Sequence, residues 1–325
     1  MCIRDSSGVF SNATSSPGNL VLTATTTGTT TLTGANTYTG TTTISGGVLV
    51  IGTGGSITSS SAITDNASLI FSSTGPQSYA NVISGTGSLI KTATGTLTLT
   101  AANTYSGGTA ISGGFLALAS SGAIGSTGNI TFSGGTLQFS ASNTTDYSSR
   151  FTSAAYQIYS FDTNGQNITL ASDLISSLGS LKKFGTGTLT LTGTNTFIGA
   201  STINAGTLQI GSGGLTGQLK GNITDNSALI FNRSGSYTYA NIISGTGTLT
   251  QAGTGTTTLT KVNTYTGATT VNAGALFING DTHLTSSITV NNGGTISGNG
   301  TLGTCLLYTS PSPRDRTRSR MPSSA

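Results

Sequence analysis

Three aspartates and an arginine share one stretch of the sequence that departs from its surroundings. Asp146, Asp162 and Asp173 lie with Arg150 inside residues 140–180, which we call the divergent insert. Glycosidases use pairs of carboxylates to cleave polysaccharides, and irregular segments often carry binding residues. The divergent insert is therefore the candidate site for binding or catalysis. Solvated turns and surface ion pairs would explain the same residues without a function.

The other polar residues favour structural roles. His283 is the single histidine, the chain has no Glu, and nothing in the sequence positions a nucleophile beside this histidine. Asp65 and Asp225 stand in the same local sequence, Ile-Thr-Asp-Asn, where an Asx turn explains an aspartate. The sequence therefore predicts a chain that is not an enzyme and that needs no cofactor or metal.

Both ends of the chain read as translated sequencing adapter. Residues 1–6 back-translate to ATG TGT ATA AGA GAC AG. The reverse complement of that DNA, read one base in, encodes the Cys-Leu-Leu-Tyr-Thr that begins at Cys305. The rest of residues 305–325 fits the index and flow-cell parts of such an adapter. We therefore exclude both ends from fold reasoning and assign the biological chain to residues 7–304.

Removing the ends changes the charge of the chain. Seven of the twelve Lys and Arg and six of the eight acidic residues remain, so the net charge falls from +4 to +1. The basic balance that would favour a nucleic-acid partner disappears with them. Cys2 and Cys305 also lie in the ends, which excludes a disulfide scaffold and a thiolate metal site.

The remaining chain is an array of repeats. Four copies of one segment align without gaps at residues 27–52, 94–119, 186–211 and 254–279. Each copy carries an Asn-Thr-Tyr or Asn-Thr-Phe element, which begins at Asn36, Asn103, Asn195 and Asn263. We predict turns at these asparagines because Asn tolerates a left-handed conformation. Self-similarity at a fixed period is typical of solenoid proteins.

Apolar residues alternate with threonine inside each copy. A period of two puts leucine on one face of a strand and threonine on the other, so Leu191 is expected inside and Thr190 outside. Positions that stay aliphatic predict the core, namely Leu49, Leu97, Leu99, Leu116, Leu189, Leu191, Leu208 and Leu276. Since one short strand pair cannot bury a core, the copies are expected to stack as an all-β solenoid.

The repeated pattern GTGTLTLTGxNTYTGxTTIxxGTLxIG resembles the autotransporter-associated β-strand repeat, also called the passenger-associated transport repeat. The four copies cover about a third of the chain. The resemblance implies a right-handed parallel β-helix stalk that is exported by type V secretion and displayed at the bacterial cell surface. It also implies a partner, the C-terminal outer-membrane barrel of the same parent chain, which would anchor the stalk.

We therefore expect a non-catalytic passenger stalk that aids export and displays an adhesive surface. Two other functions stay open. A β-helical enzyme acting on polysaccharides would use the divergent insert. An ice-binding solenoid would use rows of Thr-x-Thr, although the strict element recurs here only at intervals of 67, 92 and 68 residues.

The adapter interpretation predicts that genomic DNA of the source organism does not encode the two ends. Sequencing the intact locus should show other codons in place of residues 1–6 and 305–325. Finding MCIRDS or CLLYTSPSPRD in the genome would contradict the interpretation and would restore both cysteines and the basic tail to the protein.

Overall fold

The computed structural model describes residues 18–25, 27–57, 62–282 and 284–302, together with the main chain of residues 306–308. The chain divides into two compact units, Met1–Thr188 and Leu189–Ala325. His283, residues 1–6 and most of residues 305–325 lie outside the described residues. No helix in the described part of the chain is long and apolar enough to cross a membrane.

The first unit consists of short strands separated by turns. Threonine and β-branched aliphatic residues favour extended backbone, and glycine supplies the positive φ that many of the turns require. One 3-10 helix, Ser148–Arg150, lies in the divergent insert. The strands are β1 Leu20–Leu22, β2 Thr29–Leu32, β3 Thr42–Ile44, β4 Val48–Gly52, β5 Ile63–Asp65, β6 Ser68–Ser72, β7 Gln77–Tyr79, β8 Ile83–Ser84, β9 Ser88–Lys91, β10 Thr96–Leu99, β11 Thr109–Ile111, β12 Phe115–Leu118, β13 Ile130–Phe132, β14 Thr136–Gln138, β15 Ile158–Asp162, β16 Ile168–Leu170 and β17 Ser180–Phe184.

Most of these strands form parallel sheets in which neighbours come from successive rungs. Within the unit the strand orders are β1-β3-β5-β8, β2-β4-β6-β9-β11-β13 and β7-β10-β12-β14-β15-β17. Leu49 pairs with Leu69, and Leu69 pairs with Leu89, so the register steps by about twenty residues per rung. Parallel pairing of this kind needs a crossover between strands, and here the crossover is the rest of the rung.

Inward side chains of successive rungs line up in columns. One column contains, in register, Leu32, Ile51, Phe71, Lys91, Ile111 and Phe132. A second contains Gln77, Leu97, Leu116, Leu137, Phe161 and Lys183. The apolar members are at most 2% exposed. Burying one such side chain stabilises the fold by about 1.5–3 kcal/mol, so these columns form the core.

The second unit has the same architecture. Its strands are β18 Thr188–Leu191, which begins at the last residue of the first unit, β19 Ser201–Ile203, β20 Thr207–Ile210, β21 Ile223–Asp225, β22 Ala228–Phe231, β23 Tyr237–Tyr239, β24 Ile243–Ser244, β25 Thr248–Gln251, β26 Thr256–Leu259, β27 Thr269–Val271, β28 Gly274–Ile278, β29 Ile288–Val290, β30 Gly294–Ser297 and β31 Leu306–Tyr308. The orders within the unit are β18-β20-β22-β25-β27-β29-β31, β19-β21-β24 and β23-β26-β28-β30.

The prediction of an all-β solenoid is confirmed, because both units consist of parallel strands stacked rung on rung. The structure places every predicted core leucine in the interior. Leu191 is 1% exposed, and the other seven are fully buried. The alternation of leucine and threonine therefore places the leucines on the inner face of the strands, as a period of two predicts.

The outward threonines are covered to different degrees. On β10, Thr96 and Thr98 are half-buried while Leu97 and Leu99 are buried. Thr190 on β18 is only 8% exposed, so the prediction that its side chain is exposed is wrong. A short side chain in the middle of a parallel sheet is covered by the residues on neighbouring strands. The two faces are separated more clearly on β10.

Replacing Leu99 by Asp should unfold its rung, whereas replacing Thr98 by Asp should not. A buried unpaired carboxylate costs several kcal/mol, while a charge on the outer face changes stability by about 0.5 kcal/mol or less. Hydrogen exchange of β7 and β12, the strands that pair with β10, should rise in L99D alone, because solenoid damage stays local. Equal loss of protection in both variants would show that the two faces are assigned incorrectly.

Candidate functional site

The divergent insert continues the solenoid instead of leaving it. Its strand β15 pairs in register with β14 before it and with β17 after it. Phe151, Tyr159 and Phe161 pack around Phe132 at ring-centroid distances of 5.1, 5.8 and 5.3 Å. Edge-to-face contacts of this kind add about 0.5–1.5 kcal/mol each beyond burial. The polar residues of the insert are therefore mounted on a rung with its own aromatic core.

Arg150 holds a turn of the preceding rung. Its Nε donates a hydrogen bond to Gly128 O at 2.8 Å, and its Nη1 donates to Gly125 O at 2.6 Å. Ile124 O and Thr127 O accept further hydrogen bonds from the same guanidinium. Burial lowers the pKa of Arg150, although arginine remains charged in proteins. With its donors turned to main-chain carbonyls, Arg150 has a positioning role in the fold.

Two of the three aspartates of the insert, Asp146 and Asp162, accept hydrogen bonds from nearby groups. Asp146 accepts hydrogen bonds at 2.8 Å from Ala171 N and from the main-chain N two residues after itself. Asp162 accepts one from Gln138 Nε2, also at 2.8 Å, and Asp173 is exposed. No group of three or more His, Cys, Asp or Glu side chains assembles within the described ranges. A binding role for these charged residues stays a prediction.

The insert also exposes apolar side chains that the sequence reasoning missed. Tyr156, Ile175 and Leu178, called the apolar patch from here on, are 69, 51 and 48% exposed. Tyr156 and Leu178 have φ of 64° and 58°, which is rare for bulky residues. Tyr156 N donates to Ser177 O at 3.0 Å, so the two strained turns are adjacent. Strain of this kind concentrates at functional positions.

Two aspartates outside the insert are buried in the solenoid. Asp65 and Asp225 are 0 and 1% exposed, and one oxygen of each accepts the Asx-turn hydrogen bond at 3.0 Å, from Ala67 N or Ser227 N. Oδ2 of each has no hydrogen-bond partner among the described residues. Burial raises the pKa of both carboxyls from 3.8 to about 6, because desolvation penalises the charged form.

A glycine opposite each buried aspartate makes room for the carboxyl group. A Cβ added at Gly87 would lie 2.3 Å from Asp65 Oδ1, and a Cβ added at Gly247 would lie 2.2 Å from Asp225 Oδ1. Both distances are shorter than any van der Waals contact. The Gly-Thr-Gly that follows β8 and β24 is therefore required by the aspartate in the rung before it.

Two lysines and a glutamine interrupt the apolar columns at one shared position. Lys91 and Lys183 are 1 and 0% exposed, and each donates from Nζ to carbonyls of the turn that follows, such as Ala93 O at 3.0 Å and Gly185 O at 2.7 Å. Gln251 binds the turn carbonyls in the second unit in the same way. Burial lowers the pKa of both lysines to about 8. These side chains therefore satisfy the carbonyl groups of the turn that follows each strand.

The predicted turn asparagines are buried bridges between rungs. Asn103 Oδ1 accepts from Ile83 N at 2.8 Å, and its Nδ2 donates to Ala123 O at 2.6 Å. The left-handed conformation expected for these residues is wrong, because none of them has a positive φ. The position uses the amide side chain, which carries a donor and an acceptor. The four residues, all 0–4% exposed, are Asn36, Asn103, Asn195 and Asn263.

The aromatic residue of the same element binds a hydroxyl four residues further on. The tyrosine and threonine hydroxyls lie 2.6–2.8 Å apart in the pairs Tyr38 with Thr42, Tyr105 with Thr109 and Tyr265 with Thr269. In the remaining copy Phe197 and Ser201 take these places, and Ser201 Oγ has no hydrogen-bond partner in the described structure. The tyrosine hydroxyl therefore serves a structural purpose inside the column.

Comparison with known proteins identifies the repeats. The Passenger-associated-transport-repeat family matches four stretches of the chain, residues 22–51, 89–118, 181–210 and 249–278. Each stretch contains one of the four bridging asparagines. The resemblance stated from the sequence is thus confirmed.

One relative extends the likeness beyond the repeats. Over 216 residues the chain is 40% identical to the adhesin BmaC autotransporter of Brucella suis biovar 1 (strain 1330). The alignment covers 66% of this chain and 6% of the relative, so the chain spans a small part of that protein's length. No solved structure matches the chain.

Replacing Asp65 and Asp225 by Asn should stabilise the chain at neutral pH. The folded state holds these protons more tightly than the unfolded chain, so wild-type stability should fall as the pH rises from about 4 to about 6 and then level off. The midpoint of thermal unfolding should be higher in the double variant at pH 7.5 and equal to wild type near pH 4. Asp173→Asn, at an exposed position, is the matched control and should follow wild type. A wild-type midpoint that does not change between pH 4 and 7.5 would contradict the assignment.

Proposed function

We propose that this chain, whose repeats match the Passenger-associated-transport-repeat family, is a non-catalytic stalk of a surface protein secreted by the type V pathway. The observation that carries the proposal is the parallel pairing of successive rungs within each unit. Strands pair in parallel register from rung to rung, and the divergent insert keeps this register through β14, β15 and β17. A stack of rungs of this kind suits a spacer between a membrane anchor and a distal surface.

Export is supported by the way such a ladder grows. Each completed rung presents a row of main-chain donors and acceptors that pairs with the next rung, so folding can proceed from one end of the chain. A chain that leaves the periplasm as an extended segment would then gain order step by step outside the cell. The proposed partner in this process is an outer-membrane barrel at the C-terminal end of the same parent chain, which would also anchor the stalk.

The adhesive surface is best supported at the apolar patch. Its three side chains are exposed, and Tyr156 and Leu178 lie on strained turns, whereas Arg150 and Asp146 are engaged with the main chain. Exposed apolar side chains supply binding energy that hydrogen-bonded charges do not. The name of the relative, an adhesin, favours adhesion over catalysis. We assign contact with an external surface to Tyr156 and Leu178, and structural positioning to the charged residues of the insert.

Surface display tests the stalk. Residues 7–304 joined to an autotransporter barrel in a Gram-negative host should become accessible to external protease and antibody. L99D should reduce display severalfold because it breaks a rung, and T98D is the matched control that should not. Retention of the wild-type fusion in the periplasm would overturn the proposal.

Adhesion is tested on the same cells. Tyr156→Ser together with Leu178→Ser should leave display unchanged and reduce adherence to cultured cells and matrix proteins. Thr98→Asp, which lies outside the insert, is the control and should leave adherence unchanged. If the carboxylate variants D146N and D162N lower adherence or reveal turnover of polysaccharides while the apolar pair does not, the assignment within the insert is incorrect.

A further inference from the structure

The first unit contains a cavity beside Phe71. The cavity has a volume of about 390 Å³, and its floor is formed by Ile51, Ile57, Phe71 and Tyr79. These four side chains are 1–2% exposed, so the floor is part of the core. Gln77 stands in the wall. Cavities of about 300–1,000 Å³ with an apolar lining and few polar groups are typical of small-molecule sites.

The second unit contains a copy of the same walls. Residues 63–89 and 223–249 align without a gap at a constant offset, and their strands β5–β9 and β21–β25 follow in the same order. In this alignment Tyr237 stands where Gln77 stands in the first unit, and Arg233 stands where Ser73 stands. These two differences change the size of side chains on a shared frame. Pro76, which also lines the cavity, is replaced by Ser236 in the second copy.

Tyr237 shows what the frame accommodates. Its ring lies 5.8 Å from Phe231 and 6.4 Å from Tyr239, the counterparts of Phe71 and Tyr79 in the second copy. Its hydroxyl donates to Leu219 O at 2.8 Å and accepts from Leu219 N at 3.1 Å. A phenol ring is thus held by two aromatic neighbours and by both main-chain groups of one residue.

The first copy keeps this frame without the ring. Ile57 corresponds to Leu219, because Ser56 and Gln218, the residues before them, form equivalent bridges beside Asn36 and Asn195. Gln77 Nε2 donates to Gly55 O at 2.8 Å. In the second copy the carbonyl of Gly217, two residues before Leu219, is bound instead by Arg233.

In the first copy Gln77 takes over the hydrogen bond that Arg233 makes to the turn carbonyl in the second copy. Among the described residues, no side chain of the first copy replaces the ring that Tyr237 places beside Phe231 and Tyr239. The cavity of about 300 Å³ in the second unit shares part of this frame, since Gln218, Leu219, Tyr237 and Thr238 line it. Phe231 and Tyr239 do not line it, so it lacks the aromatic floor of the cavity beside Phe71.

We propose that the cavity beside Phe71 binds a small phenol, with its ring on Phe71 and Tyr79 and its hydroxyl on the main chain of Ile57. The site is larger than one ring needs, since an apolar cavity of about 150 Å³ already binds benzene. A phenol with a further substituent fits the remaining volume, which in the second copy corresponds to the guanidinium that lies 5.0 Å from the Tyr237 ring. This binding is independent of the stalk function, because it needs only the folded first unit.

Titration of the full chain with 4-methylphenol, the side chain of tyrosine as a free molecule, tests the site. Heats of binding and NMR shifts should saturate at one molecule per chain. Toluene, which lacks the hydroxyl, should bind at least about tenfold more weakly, a difference of about 1.4 kcal/mol. Gln77→Tyr should abolish binding and raise the midpoint of thermal unfolding, because the variant supplies its own ring.

A gain-of-site variant keeps the test decisive if Gln77→Tyr fails to fold. Tyr237→Gln with Arg233→Ser should create a second site and change the stoichiometry from one to two. Val82→Tyr, at an exposed position that does not line the cavity, is the matched control and should bind like wild type. No saturable binding to wild type, or equal binding of 4-methylphenol and toluene that persists in Gln77→Tyr, would overturn the proposal. Failure of surface display with intact phenol binding would concern the stalk alone.

Discussion

Parallel main-chain pairing between successive rungs is the interaction on which every other feature of this chain depends. A strand of three to five residues is too short to be stable alone, and its donors and acceptors are satisfied only by strands about twenty residues away, as Leu69 is by Leu49 and Leu89. The register that this pairing fixes also decides which side chains share a column. A column is consequently a property of many rungs, and a single substitution is felt by its neighbours first.

This constraint explains the buried polar residues. A column has to end where each strand turns, and the turn leaves carbonyls that need donors. Lys91, Lys183 and Gln251 reach those carbonyls from inside the column, while asparagines such as Asn103 join three successive rungs through one amide. Asp65 and Asp225 are different, because one oxygen of each is left without a partner in the described structure. Because burial raises the pKa of both carboxyls, we expect these two residues to reduce stability at neutral pH.

Sequence alone could predict the columns but not the contacts across them. The alternation in TLTL identified Leu97 and Leu99 as core because the period of a strand is local. The roles of Asn103 and Lys91 depend on residues about twenty positions away, and local propensity carries no information about that distance. The expected left-handed turn at Asn103 was wrong for this reason. Within the divergent insert, charge drew attention to Arg150, whereas strain at Tyr156, which no sequence pattern signals, identifies the more exposed group.

The repeats also show which changes the ladder tolerates. Because main-chain pairing holds the frame, a side chain inside it can change size without moving the strands around it. Gln77 and Tyr237 occupy equivalent places on β7 and β23, and both strands keep parallel partners, β10 and β26. Ser201 is a second example, because it stands where the other copies have a threonine. Its hydroxyl has no hydrogen-bond partner in the described structure, yet β19 still pairs with β21. Copies of one repeat in such a solenoid can therefore differ in the size of interior side chains and in the residues of exposed turns. At these positions they can acquire different binding properties while the stalk remains intact.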